Sequence, residues 1–174
     1  EFAVLQMGGV TDILAALRTG GVDAGVINAE LAILARRDGF RDVADIAKMG
    51  LSFPTSSIVT TRSFIKRSEN TVRKFVRAYA DGVHFAKTQR AVSVKVMSQY
   101  MRNNDLALVN DLYDLYLIQN MMRVPRPTTE PIRTVLDQMA ETDPRVANLK
   151  PEQLIDGRFF AEMDKDGFLQ KLWK

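Results

Sequence analysis

The chain has 174 residues, 46% hydrophobic and 26% charged, enough for one sizeable core or two small lobes and too apolar for a disordered segment. Its 24 basic and 21 acidic residues leave a net charge of only +3, and the basic side chains come in pairs such as Arg36-Arg37, Lys66-Arg67 and Arg73-Lys74, with acids nearby. Nucleic-acid binders carry a clustered basic stripe with stacking aromatics between, so no nucleic-acid partner is expected.

The first third of the chain reads as two short β-α units. Phe2 to Met7 is apolar and predicts a buried strand, broken by Gly8-Gly9. Thr11 is the expected N-cap of a helix whose apolar side is Ile13, Leu14 and Leu17 and which ends at Gly20-Gly21. Asp23 to Ile27 predicts a second strand. Asn28 then caps a mostly apolar helix, Ala29 to Arg37, ended by Gly39. Strands alternating with helices at this spacing imply parallel β-α-β connections, hence an α/β fold. The Gly, Pro and Ser of Gly50 to Ser56 mark a loop, and Ser57 to Thr61 predicts a third strand.

From about residue 62 the pattern is helical only. Ser68 is the expected cap of a long helix with an apolar stripe at Val72, Phe75, Val76, Tyr79 and Val83. A second helix spans about Arg90 to Met101, with Val92, Val96, Met97 and Tyr100 inward. A third runs from Asp105 to about Asn120 on Leu108, Val109, Leu112, Tyr113 and Tyr116. A fourth starts at Thr129 and Pro131 with Ile132, Val135, Leu136 and Met139. Pro151 to Lys174 predicts one or two short helices, with Phe159, Phe160, Phe168, Leu172 and Trp173 packing. Three strands are few for so many amphipathic helices, and the chain opens inside an apolar segment without Met. Both features predict a processed or truncated start with further β-α units upstream.

The chemistry-bearing residues are sparse. With no cysteine, disulfides, thiolate metal sites and cysteine nucleophiles are excluded. The single histidine, His84, falls on the side of the long helix shared with Ala80, Asp81 and Lys87, a surface or interface position. No H-E-x-x-H or G-x-S-x-G occurs, so neither a catalytic set, a metal site nor a cofactor is expected. Gly8-Gly9 lacks the G-x-G-x-x-G and P-loop patterns. It reads either as a tight strand-helix turn or as a turn presenting bare amides to a ligand, with Thr11 and the helix N-terminus adding a place for negative charge. The second junction, Asn28-Ala29-Glu30, has the same geometry, and open α/β sheets gather ligands beyond the carboxyl ends of their strands. Asn28 is either a plain cap or a ligand donor, and Glu30 either a capping acid or a partner for a positive group. The loop with Phe53, Thr55 and Ser56 offers hydroxyls and a ring beside the third strand.

Taken in order, LAALRTGGVDAGVINAELAILARRDGFRDVADI, SSIVTTRSFI, SENTVRKFVRAYADGVHFAK and the ending PEQLIDGRFFAEMDKDGFLQKLW resemble one family. It is the nitrate/sulfonate/taurine and thiamine-pyrimidine-precursor class of periplasmic binding proteins. The resemblance implies a type II periplasmic-binding-protein fold, two α/β lobes with a ligand between them. Residues 1–56 would be part of the second lobe, 57–67 a crossing strand, and 68–174 the helices completing the first lobe and hinge. It also implies that Gly8, Gly9, Asn28, Ala29, Glu30, Phe53, Thr55 and Ser56 edge the cleft, beside the Thr11 that the helix start itself suggests. A small organic ligand, anionic or heterocyclic, would be bound without chemistry and handed to ABC transporter membrane subunits outside the cytoplasm. Where many sulfonate and taurine relatives carry a tryptophan-acid-proline run, this chain has Asn28-Ala29-Glu30, which removes support for sulfonate. The alternatives are a thiamine-pyrimidine-synthase-like enzyme, whose relatives use cysteine- and histidine-rich iron sites, and a ligand-sensing domain of a signalling protein. Uncovered apolar surface predicts self-association of the chain.

Overall fold

The computed structural model describes residues 3–50, 52–54 and 56–174. It divides into two compact units, residues 1–50 and residues 51–174. Helices dominate both, and among the described residues none is long and apolar enough to cross a membrane.

In the first unit, α1 (Val10–Thr19) and α2 (Ala29–Arg37) pack through Leu14, Leu31 and Ala35, with Ile27, Leu34 and Phe40 against them. Arg18 in the last turn of α1 pairs with Asp38 at the end of α2, at 2.6 Å, so the C-terminal ends meet, and the contact of Leu14 with Leu31 and Ala35 then has the two helices run in the same sense, with both N-termini at the opposite pole. The end of α1 is set by Gly20, whose φ of 71° is left-handed, while the Gly21 amide donates to the Ala16 carbonyl at 2.8 Å. The chain then returns along α1. A Cβ on Gly25 would stand 2.3 Å from Ile13 Cγ2 and 3.6 Å from Leu17 Cδ1, so only glycine fits that close approach.

In the second unit, α3 (Arg62–Arg67) leads into the long α4 (Glu69–Thr88) and then α5 (Arg90–Met101). Next come α6 (Leu106–Tyr113), a π-helical continuation (Asp114–Asn120), and α7 (Glu130–Ala140). The shorter α8 (Arg158–Lys165) and α9 (Phe168–Leu172) close the chain. Leu108, Val109, Leu112 and Tyr113 of α6 are the most deeply buried large side chains described. The Tyr113 hydroxyl donates to the Ala86 carbonyl at 2.9 Å, tying α6 to the end of α4. A second cluster seats α8 and α9 on α4 through Ala80, Phe160, Met163 and Leu169.

Three arginines reinforce that second cluster in one manner. Arg73 donates to Glu162 at 2.7 Å, Arg77 to Asp166 at 2.6 Å, and Arg126 to both oxygens of Asp164 at 2.6 and 2.7 Å. Their guanidinium carbons lie over the rings of Phe159, Phe168 and Phe160, at 5.9, 3.9 and 5.9 Å respectively. The arginine hydrogen bonds hold the Glu162, Asp164 and Asp166 carboxyls below their ordinary range. A depressed folded value means stabilisation that is complete above the unfolded carboxylate range and drains as pH falls through the folded values. The second unit is therefore expected to lose denaturant resistance below about pH 4, and Arg126→Met to flatten that loss, as unfolding midpoints from pH 7 to pH 3 would record. An acid limb unchanged in the variant would remove the Arg126–Asp164 pair from the explanation.

Several expectations need correction. The segments 3–7, 23–27 and 57–61 form no strand, and no backbone hydrogen bond pairs them with one another. A strand exists only through a neighbour's amides and carbonyls, and apolar patterning cannot supply that neighbour. Phe2, in the first predicted strand, lies outside the described residues. The N-cap of α1 is Gly9 rather than Thr11. Ser68 stands at the start of α4, but its side chain makes no capping bond. On α5, Val92, Val96 and Tyr100 are exposed, whereas Ser93 and Val94 are buried and Met97 packs beside Val94, Val109 and Tyr113. On α4, Phe75 is exposed while Ala80 joins the core.

Candidate functional site

The N-terminal pole of the first unit holds most of the residues predicted to meet a ligand. Gly9 begins α1, and its amide donates to Asp12 Oδ2 at 2.7 Å while its carbonyl accepts from the Asp12 amide at 3.0 Å. The Gly9 amide is therefore not bare: the α1 N-terminus already has its negative charge from Asp12. A Cβ on Gly8 would stand 2.6 Å from that same carboxylate oxygen, which accounts for one glycine by close packing. Thr11 is exposed in the first turn.

Asn28 caps α2, its Oδ1 accepting from the Leu31 amide at 2.9 Å, as a plain N-cap does. That leaves its Nδ2 amide with no partner among the described residues. Asn28 is exposed, and Ala29 and Glu30 are half-buried in the first turn of α2. Gly8, Gly9 and Thr11 at the start of α1 and Asn28, Ala29 and Glu30 at the start of α2 thus lie toward one pole. It is acidic, with Asp12 and Glu30, while Arg18, Arg36 and Arg37 all occupy the last turns of the two helices at the far pole.

Phe53 and Ser56 belong to the second unit, where both are exposed, and Thr55 lies outside the described residues. His84 is half-buried, its ring edge-on to Trp173 with centroids 4.8 Å apart. It is thus a packing residue between α4 and the chain's last helix. Among the described residues no three His, Cys, Asp or Glu side chains cluster as metal ligands would.

An open apolar groove in the second unit was not foreseen as a site. Phe75, Tyr79 and Val83 of α4 line it with Leu117 and Met121, and small residues Ala78, Gly82 and Ala86 form its floor on α4. The sequence signal was present, since the first three belong to the α4 stripe, but periodicity reads such residues as core.

A family model described as NMT1/THI5 like matches residues 3–91, just over half of the chain. No curated protein and no solved structure matches.

Proposed function

Because the chain belongs to the NMT1/THI5-like family, we propose that it is the solute-binding part of an ABC import system, working outside the cytoplasm and binding a small organic molecule without transforming it. The observation that carries the reading, beside the family match, is the pole where α1 and α2 both begin. Two helix starts, an unpaired amide at Asn28, a hydroxyl at Thr11 and two carboxylates lie toward it, with no nucleophile–base pair among them. Such a set grips polar groups, as the few placed polar side chains and amides of ligand sites do.

The chemistry of the pole narrows the ligand class. Asp12 already compensates the α1 amides, and Glu30 adds a second carboxylate in the first turn of α2. This favours a heterocycle bearing N–H donors over a simple anion, which would meet two like charges. Closure of a second lobe over this pole would complete the cleft and present the bound form to the membrane subunits.

A thermal-shift screen of neutral and cationic heterocycles against organic anions tests the proposal. A donor-bearing heterocycle should raise the melting temperature saturably. Glu30→Gln and Asn28→Ala should each weaken that response by about tenfold, the worth of one hydrogen bond to a charged group. No response to any compound, or an anion that binds equally well in Glu30→Gln and the parent, would defeat the reading.

A further inference from the structure

We propose that Lys87, Arg123, Trp173 and His84 form a small-oxyanion site in the second unit, receiving a phosphate or carboxylate group. This site is independent of the pole in the first unit and of the transport reading.

The four residues meet where the end of α4 faces the last residues of the chain. The Arg123 guanidinium lies over the Trp173 ring at 4.5 Å, and its Nη2 reaches the Trp173 carbonyl at 3.4 Å. The His84 ring stands nearly perpendicular to the indole with centroids 4.8 Å apart, and Lys87 stands one helical turn beyond His84 on α4. Lys87 Nζ donates to the Leu117 carbonyl in the π-helical segment, which anchors the ammonium beside α4.

The positive charge here lacks a counter-charge. Neither Lys87 nor Arg123 has a carboxylate partner among the described residues, and the α8 carboxylates are already held by Arg73, Arg77 and Arg126. Trp173 Nε1 is a buried donor with no hydrogen-bond partner, and it is the one such side-chain atom among those described. Unpaired buried donors are rare and call for an explanation. Burial first, and then the positive charge of Arg123, push the Lys87 ammonium below its ordinary value. An anion seated between the two cations would reverse the second effect. Guanidinium and ammonium groups make short, charge-assisted hydrogen bonds to phosphate and carboxylate oxygens, and the indole N–H adds a neutral donor beside them.

The chain's single tryptophan makes the test local, because its emission reports this place alone. Sodium phosphate and, separately, sodium acetate would be titrated into the protein at an ionic strength held constant with sodium chloride. A saturable change in Trp173 emission is expected. A lower midpoint for phosphate assigns the site to a divalent oxyanion, and a lower one for acetate assigns it to a carboxylate. Arg123→Met and Lys87→Met should each raise the midpoint by about tenfold or more. Arg123 is exposed, so its variant carries the comparison alone if Lys87→Met does not fold. No saturable change with either anion, or an unchanged midpoint in a folded variant, overturns the site.

Discussion

Leu112→Ala is expected to lower the stability of the second unit by about 2–5 kcal/mol, the range for deleting a leucine side chain that cannot be backfilled. Leu112 is fully buried, with Leu108, Val109 and Tyr113 equally enclosed beside it on α6. The site has little room to collapse. Val109 and Tyr113 are held against Val94 of α5, and the Tyr113 hydroxyl is fixed to the end of α4. Its ring is also covered by Arg90, whose guanidinium donates to Asp114 at 2.8 Å. Neighbours restrained from three sides leave a void when the leucine is removed. Guanidinium unfolding followed by far-UV circular dichroism measures the effect. A loss under about 1 kcal/mol would mean that α6 is not the centre of the unit.

The second large effect belongs to Phe160→Ala, at about 3–5 kcal/mol. Phe160 is 7% exposed and joins Ala80, Met163 and Leu169 in the cluster that seats α8 and α9 on α4. This substitution differs from Leu112→Ala in where it acts. Removing the ring undercuts the last two helices, and the surface ion pairs cannot hold them alone, since exposed pairs contribute about 1 kcal/mol at most. Trp173 follows α9, so its emission should shift to the red at denaturant concentrations that leave most helix intact. Coincident loss of helix and of the folded-state tryptophan emission would show that the C-terminal helices do not separate first.

Helix limits were largely legible in the sequence, because capping is local chemistry. Asn28 bonds the amide of Leu31 and Asp105 that of Leu108, three residues on in each case, and the predicted spans Ala29 to Arg37 and Arg90 to Met101 are those observed. At α1 the sequence offers Thr11 as the cap, yet the reciprocal bonds of Gly9 and Asp12 start the helix two residues earlier. A glycine has no side chain to advertise that role. The polar character of the pole was legible too, but not its charge compensation, since only geometry shows that Asp12 has taken the Gly9 amide.

By itself the sequence determined what each residue can do over a few positions: where helices start and stop, and that cysteine chemistry is absent. It also carried enough ordered similarity over residues 3–91 to place the chain in its family. The tertiary structure decided which faces are inward and which distant groups meet. Valines lie all around α5, so the choice of Val94 and Met97 over Val92 and Val96 was made by α6. Arg73 and Glu162 are 89 positions apart, as are Arg77 and Asp166, and no local rule pairs them. The physical reason is the range of the forces. Caps and turns are made by bonds between near neighbours, whereas burial and ion pairing depend on whatever the fold brings within a few ångströms.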